Sequence, residues 1–154
     1  MHLYLIQHGQ AKTKEEDPDR GLTAQGIVDV ERISQHFAQL DPVISEIRHS
    51  PKLRAKETAK ILGKRLKIIY KVKEYKELTP NNPVLPLAEE LTNLNKDIAL
   101  VGHLPHLSKL SSLLLCGDEN AELIIFKNSG IVCLQKQEKK WQLQWILPPL
   151  IFTI

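Results

Sequence analysis

The sequence predicts an α/β protein of three layers, in which helices cover both faces of a central, mostly parallel sheet. Short apolar runs that are typical of buried strands alternate along the chain with segments whose apolar residues recur at helical spacing. The chain has 154 residues, a length typical of one domain, so we expect a single domain over residues 1–154.

The first half of the chain predicts three strands and two helices. The strands are predicted over residues 3–7, 44–49 and 68–72. The charged segment 12–20 predicts a loop, and Thr23 is the expected N-cap of the first helix. Apolar residues at helical spacing then predict its buried face: Ile27, Val30, Ile33, Phe37 and Leu40. A second helix is predicted over residues 52–66.

The second half predicts two helices and four strands. Prolines and asparagines predict a loop over 79–86. Helices are predicted over 87–94 and 107–116, the latter with Pro105 in its first turn. The strands are predicted over residues 97–102, 123–126, 131–135 and 141–146. Trp141 and Trp145 are four residues apart, which on a regular strand places both on one face. We expect the apolar tail, 147–154, to pack on the domain or to form a dimer contact.

Composition limits the classes of function. The net charge of +3 is mild and suits an anionic substrate, while the scattered basic residues do not predict nucleic-acid binding. Cys116 and Cys133 lie in apolar surroundings, so we expect both to be buried and reduced, with no zinc pattern. A signal peptide and an apolar run long enough to span a membrane are both absent from the sequence, so the expected location is the cytoplasm and no membrane partner is expected.

Three polar clusters follow predicted strands directly. His8 and Gly9 follow the first strand, residues 50–55 follow the second, and residues 102–105 follow the strand at 97–102. Ligands bind beyond the carboxyl ends of strands in an open parallel sheet. We therefore expect His8, Arg54 and His103 to meet at one edge of the sheet.

These residue types suit a phosphoryl group, which requires positive charge and hydrogen-bond donors on its oxygens. Arg54 can donate two parallel hydrogen bonds, and the amides that open the helix after His103 point at an anion. A neutral imidazole at His8 can attack phosphorus, and a protonated His103 can stabilise charge in the transition state. Because side chains and a helix end supply the positive charge, we expect no metal and no organic cofactor.

Four segments, in this order, resemble the histidine phosphatase superfamily. Residues 5–9 resemble its Arg-His-Gly signature, with Gln7 in place of the arginine, and residues 22–26 resemble its Leu-Thr-x-x-Gly segment. Residues 50–58 resemble its Ser-Pro-x-x-Arg-x-x-x-Thr helix start, and residues 102–103 resemble its second catalytic histidine. The resemblance covers residues 3 to about 135 and implies the phosphoglycerate mutase-like form of the three-layer fold.

The short chain most resembles the SixA-type phosphohistidine phosphatases of that superfamily. This resemblance implies that His8 is the nucleophile, that Arg54 and His103 bind the phosphoryl group, and that Glu77 donates the leaving-group proton, with Asp17 and Asp19 as competitors. It further implies that four residues contact the substrate: Gln7, Gly9, Thr23 and Leu104. Thr23 is expected to act first as a helix cap.

The resemblance implies a phosphorylated protein as partner, of the histidine-phosphotransfer type, or a small phosphate ester. Inorganic phosphate or sulfate is expected to bind the same site. Imidazole accepts a proton near pH 6.5, so it leaves phosphorus more easily than an alkoxide, which favours phosphohistidine. The family's proton donor can therefore be weak and its site open.

Gln7 retains hydrogen-bond donors but lacks the charge of the family's arginine. Losing one charged hydrogen bond costs about 1.5–3 kcal/mol, or roughly 10- to 100-fold in rate. Arg20, Lys12 and Lys52 are candidates to replace the charge. Three hypotheses remain open: a protein phosphohistidine phosphatase, a small-molecule phosphomonoesterase, and a catalytically weak phosphate-binding module.

Overall fold

The fold is built on one six-stranded sheet in the strand order β3-β2-β4-β1-β5-β6, and the computed structural model describes residues 1–149. The strands are β1 His2–Gln7, β2 Glu46–His49, β3 Val72–Glu74, β4 Ile98–Gly102, β5 Ile131–Gln137 and β6 Lys140–Leu147. The helices are α1 Ala24–Ala38, α2 Leu53–Arg65, α3 Leu85–Asn93 and α4 His106–Cys116.

The sheet is parallel on one side and antiparallel on the other. Strands β3, β2, β4 and β1 pair in parallel, and β5 and β6 continue the sheet as an antiparallel pair beside β1. Each parallel connection passes through a helix, as a parallel crossover requires. The predicted α/β class with a mostly parallel sheet is confirmed.

Helices cover both faces, which gives the three layers. On one face, α1 and α2 pack on the sheet through a cluster that includes Phe37, Leu62 and Val101. On the other face, α3 and α4 pack through a cluster that includes Leu91 and Leu107. Both central strands are buried on both faces, which explains why their sequences are continuous apolar runs rather than alternating ones.

Two predicted strands differ in the structure. Residues 69–71 form a 3-10 turn, and the third strand starts only at Val72, because the amide of Ile68 is held by the carbonyl of Gly63 at the end of α2. The segment 123–126 has the alternating burial of a strand, yet it pairs with no neighbouring strand. Every second side chain of the segment is buried, so the alternation in the sequence reflects burial of one side and not hydrogen bonding to another strand.

Helix boundaries also shift. Helix α3 begins at Leu85, so residues 85–86 belong to the helix and not to the predicted loop. Pro105 is the N-cap of α4 and precedes its first turn. Two residues predicted for the buried face of α1 do not belong to it: Ile27 lies in the helix but is 37% exposed, and Leu40 lies beyond the helix and is 58% exposed.

The structure differs from the sequence predictions for the two tryptophans and for Cys116. Strand β6 has an irregularity opposite Cys133, where the register passes over Gln144. This extra residue shifts the alternation of side chains, so Trp141 packs on the α3–α4 face while Trp145 packs on the α1–α2 face. Cys116 is exposed at the end of α4, whereas Cys133 is buried as expected.

The carboxyl end of the chain is described only to residue 149. The expectation that the tail packs on the domain or forms a dimer contact therefore lies, for residues 150–154, outside the described residues. Among residues 1–149, none of the helices is both long and apolar enough to cross a lipid bilayer.

Candidate active site

His8 and His103 lie side by side at the carboxyl ends of the two central strands. Strands β1 and β4 pair in parallel with Gln7 opposite Gly102, so each histidine is the next residue after a paired position. The backbone N–H of His8 continues the ladder by donating to the carbonyl of Gly102 at 3.1 Å. The imidazole centroids are 5.1 Å apart, and the rings are tilted by 56°.

The hydrogen bonding of His8 defines its tautomer. Its Nδ1 lies 2.6 Å from the carbonyl oxygen of Gly9, and since a carbonyl only accepts, Nδ1 carries the proton. The lone pair is therefore on Nε2. Burial lowers the pKa of His8 to about 4, with a smaller contribution from the charges of Arg54 and Arg20 and against the effect of the bond to Gly9. At neutral pH the ring is uncharged, and Nε2 can act as a nucleophile.

His103 is positioned by Ser50, the residue that follows β2. Its Nε2 lies 2.8 Å from Ser50 Oγ, and the same hydroxyl accepts a hydrogen bond from the amide of Lys52 at 3.2 Å. Burial lowers the pKa of His103 to about 3, and the neighbouring His8, Arg54 and Lys52 act in the same direction. The protonated form considered from the sequence is therefore not the form of the free site at neutral pH.

Arg54 lies in the first turn of α2 and is tied to the His8 loop through Thr58. The hydroxyl of Thr58 donates to the carbonyl of Arg54 at 2.8 Å and accepts from the amide of Gly9 at 3.0 Å. Burial, followed by the charge of Arg20, lowers the pKa of Arg54. Arginine stays charged in proteins, so the site retains one guanidinium beside the two histidines.

Gln7 is directed toward the turn that precedes β5. Its side-chain Nε2 donates to Asn128 Oδ1 at 2.9 Å, and its backbone carbonyl accepts from the amide of Ser129 at 2.9 Å. The side chain thus has a structural partner in the free site, and it contributes no charge.

Arg20 brings a second positive charge to the site. Its Nε donates to the carbonyl of Lys12 at 3.0 Å, and its backbone adopts the left-handed conformation at φ 51°. Its charge lowers the pKa of both His8 and Arg54, whereas the charge of Lys52 bears on His103. Of the three candidates to replace the family's arginine, Arg20 is the one whose charge acts on the nucleophile.

Among the buried side-chain atoms of residues 1–149 that lack a hydrogen-bond partner, three belong to the predicted site residues: Gln7 Oε1, Arg54 Nε and His103 Nδ1. Such groups are costly to leave unsatisfied, and in native structures they call for an explanation. The two nitrogens are suitable hydrogen-bond partners for the oxygens of a bound anion.

The remaining predicted residues take up different positions. The hydroxyl of Thr23 accepts from the amide of Gly26 as the predicted N-cap, and it also contacts the Gln10 side chain. Leu104 is 41% exposed, directly after His103. Glu77 is exposed in a short 3-10 helix, and within residues 1–149 its carboxylate has no hydrogen bond or ion pair.

Asp17 and Asp19, the competitors of Glu77, lie in the loop before α1. Asp17 accepts hydrogen bonds from the amides of Asp19 and Gly21, so its carboxylate holds the loop together. His106 is fully buried and does not face solvent. Because Leu107 already donates to the carbonyl of His103 and Pro105 has no N–H, α4 offers fewer free amides than its sequence suggested.

Steric contacts explain why glycine occupies position 26 in the Thr-x-x-Gly segment and position 9 after the nucleophile. A Cβ atom at Gly26 would lie 2.2 Å from the carbonyl oxygen of Gln10, and one at Gly9 would lie 2.6 Å from Val30 Cγ2. Only glycine allows the start of α1 to approach the His8 loop this closely.

Three contributors were not assigned to the site from the sequence: Ser50, Thr58 and Asn128. Ser50 and Thr58 stand in the Ser-Pro-x-x-Arg-x-x-x-Thr spacing, so a signal for both was present. No sequence pattern marks Asn128, because its contact with Gln7 depends on the pairing of β5 with β1.

The fold is similar to that of known proteins, and one curated relative is similar in sequence. A curated relative, an uncharacterized protein of Picosynechococcus sp., is 29% identical over 142 residues, which cover 88% of this chain and 85% of its own. A solved structure of the protein histidine phosphatase SixA complexed with tungstate superposes with a TM-score of 0.86 at 24% identity, covering 97% of both chains. A mycobacterial glucosyl-3-phosphoglycerate phosphatase in complex with VO3 has a TM-score of 0.75 at 18% identity, covering 96% of this chain and 99% of its own.

The family itself follows from the sequence match. Residues 3–79, half of the chain, match the family described as the histidine phosphatase superfamily, branch 1. This segment includes His8, the glycine of the Thr-x-x-Gly segment, Arg54 and Thr58, the residues that the structure joins at the carboxyl edge of the sheet. The protein belongs to the histidine phosphatase superfamily, in its branch 1.

Proposed function

We propose that this phosphatase hydrolyses phosphohistidine on a protein through a covalent phospho-His8 intermediate. The observation that carries the proposal is the geometry of His8: Nδ1 is held by Gly9, so the lone pair is on Nε2, beside His103 and Arg54. A neutral, oriented imidazole next to a guanidinium suits attack on an anionic phosphoryl group.

In the first step, His8 Nε2 forms a bond to phosphorus while the P–N bond of the substrate breaks. Arg54 and His103 donate hydrogen bonds to the phosphoryl oxygens, and the leaving imidazole takes up one proton. We assign that proton to Glu77, the acidic residue that the resemblance to the family implies. Its carboxylate is exposed and unengaged within residues 1–149, as is that of Asp19, whereas the carboxylate of Asp17 holds the loop. In the second step, water attacks phospho-His8 and gives one proton to the Glu77 carboxylate while the P–N bond to His8 breaks. Inorganic phosphate leaves, and His8 and Glu77 return to their starting forms.

The absence of a charge at Gln7 is compatible with a phosphohistidine substrate. An imidazole leaving group demands less stabilisation than an alkoxide, so a site with one charge fewer can still cleave a P–N bond. We propose that Arg20 supplies part of the missing charge, because its guanidinium already lowers the pKa of His8. Gly9, Thr23 and Leu104 border the bound phosphoryl group in this proposal.

The two solved relatives support different substrates. One is named a protein histidine phosphatase, and the other is named a glucosyl-3-phosphoglycerate phosphatase, which acts on a small ester. A small phosphomonoester is therefore the second candidate substrate. A phosphate-binding module with little turnover is the third candidate, and the observation that favours it is the engagement of Gln7 by Asn128. We propose the cytoplasm as the location, which suits the two free thiols.

Phosphate release from a phosphohistidine-bearing protein tests the proposal. The native chain, His8→Ala and the control His36→Gln, which changes a histidine of α1, are compared on this substrate and on p-nitrophenyl phosphate. We expect release by the native chain and the control, no release by His8→Ala, and a trapped acid-labile phosphoenzyme in the native chain. Unchanged release in His8→Ala would contradict the nucleophile, and faster turnover of the ester would favour the second candidate.

A further inference from the structure

A basic cleft adjoins the two histidines. It has a volume of about 850 Å³ and is lined by the loop before α1, the start of α2 and residues 79–81. Its charged residues are the cations Lys14, Arg20, Lys52, Arg54 and Lys56 and the single anion Asp19. His8 and His103 do not line it, so the cleft meets the phosphoryl site through Arg54 and Arg20.

The cleft accounts for the net positive charge of the protein. Five cations and one anion give the lining a net charge of +4, whereas the whole chain carries +3. The remainder of the chain is therefore close to neutral. Clefts lined by charge of one sign attract ligands of the opposite sign and raise the rate of encounter.

The described part of the chain, residues 1–149, does not neutralise these cations. Within residues 1–149, none of the five lies within 4.0 Å of a carboxylate oxygen, although Arg48, Lys73 and Lys96 all gather around Glu46 elsewhere.

The carboxylates of the neighbouring loop region are used for other contacts. Asp17 accepts from the amide of Gly21, and Glu57 accepts from the amide of Leu22. Arg20 and Arg54 are held near enough that the charge of Arg20 lowers the pKa of Arg54. An anion in the cleft would offset this repulsion.

The size and composition of the cleft indicate the kind of partner. A volume of 850 Å³ is that of a pocket for a large ligand and exceeds the needs of one phosphoryl group. Lys14 and Lys52 are exposed at its rim, and lysines are flexible point charges rather than fixed two-pronged binders. Exposed, flexible lysines of this kind suit the electrostatic attraction of an acidic protein surface, which does not require one fixed geometry.

We infer that the basic cleft is the docking surface for an acidic segment that flanks the phosphohistidine of a substrate protein. The inference rests on the proposed function for the phosphohistidine, whereas the preference for flanking carboxylates rests on the cleft alone. The cleft determines which phosphorylated protein is recognised, and the histidines and Arg54 perform the chemistry.

Two matched peptides test the inference. Both carry one phosphohistidine, flanked by four glutamates in one peptide and by four glutamines in the other, and each is also made with a non-hydrolysable phosphoryl-triazole in place of the phosphohistidine. The native chain is compared with Lys14→Glu/Lys56→Glu in the cleft. The control is Lys60→Glu/Lys64→Glu, which makes the same change of charge on α2 outside the cleft lining.

For the native chain and the control, we expect the glutamate peptide to have a kcat/KM at least about tenfold higher at low salt, with the preference falling as salt rises. We expect Lys14→Glu/Lys56→Glu to abolish the preference while hydrolysing the glutamine peptide at the native rate. The dissociation constants of the triazole peptides should follow the same pattern.

The outcomes separate the two proposals. Binding preference without hydrolysis would sustain the docking surface and contradict the proposed reaction. Hydrolysis of both peptides with no preference, or equal loss in the control, would overturn the docking surface. A third outcome would assign the cleft to a small polyanion instead. In that case the native chain shows no preference for the flanking glutamates, and Lys14→Glu/Lys56→Glu loses turnover of 1,3-propanediol bisphosphate.

Discussion

The hydroxyl of Thr58 accepts a hydrogen bond from the backbone N–H of Gly9 at 3.0 Å, and this contact fixes the helix that carries Arg54 against the loop that carries His8. The carbonyl of Gly9 meanwhile accepts from His8 Nδ1. One peptide group on each side of Gly9 is therefore held in place, and the nucleophile is oriented through both.

Replacing Thr58 with valine should reduce both stability and activity. Thr58 is buried, so Thr58→Val leaves the amide of Gly9 without a partner, which costs about 1–3 kcal/mol. Urea unfolding measures the stability, and kcat on a phosphohistidine substrate measures the activity. Thr58→Ser retains the hydroxyl and should stay close to the native chain. Equal behaviour of the two variants would show that the hydrogen bond does not matter.

Restoring the family's arginine should accelerate the reaction. Gln7→Arg adds a guanidinium beside the phosphoryl group, for which we expect about a 10- to 100-fold higher kcat. Gln7→Met, which is of similar length but has no donors, should not gain. A rate for Gln7→Arg at or below that of the native chain would mean that the site already has the charge it requires.

Arg20 should matter more in the native chain than in Gln7→Arg. If Arg20 replaces the missing charge, Arg20→Gln should lower kcat by about tenfold or more in the native background and by less beside Arg at position 7. Lys12→Gln in the same loop is the control, since the charge of Lys12 bears on Asp17. Equal losses in both backgrounds would make the two positions independent.

The titration of His8 should lie well below that of an ordinary histidine. Burial lowers its pKa to about 4, against about 6.5 for an unfolded chain. Between these values the unfolded chain binds a proton that the native chain does not, so His8 contributes to a loss of stability as the pH falls from 6.5 toward 4. NMR titration of isotope-labelled histidine measures the pKa, and His8→Ala assigns the signal. A midpoint near 6.5 would contradict the burial of this ring.

Gly26→Ala should destabilise the protein even though alanine favours helices. The gain in helix propensity is about 1 kcal/mol, but the new Cβ would lie 2.2 Å from the carbonyl oxygen of Gln10. Overpacking of this kind typically costs about 1–3 kcal/mol, and here the obstacle is backbone, so we expect a net loss. Thermal unfolding measures the change, and a higher melting temperature would show that the loop gives way.

Much of the site was predictable because it depends on local order along the chain. Each of His8, Arg54 and His103 follows the end of a strand within a few residues, so the position of the strand determines the position of the side chain. The first strand and the strand before His103 were recognised from continuous apolar runs. Predictions that required knowledge of pairing were less successful: segment 123–126 has a strand-like pattern but no partner, and the irregularity opposite Cys133 separates Trp141 from Trp145.

The sequence by itself determined the fold class, the family motifs and the identity of the residues at the carboxyl edge, because apolar periodicity and short spacings are properties of the chain. Only the tertiary structure decided which nitrogen of His8 keeps its lone pair, that His103 is neutral in the free site, and that the charge of Arg20 reaches the nucleophile. These properties depend on burial and on distances between segments far apart in sequence. Both arise only when the strands pair and the helices pack, which no local pattern records.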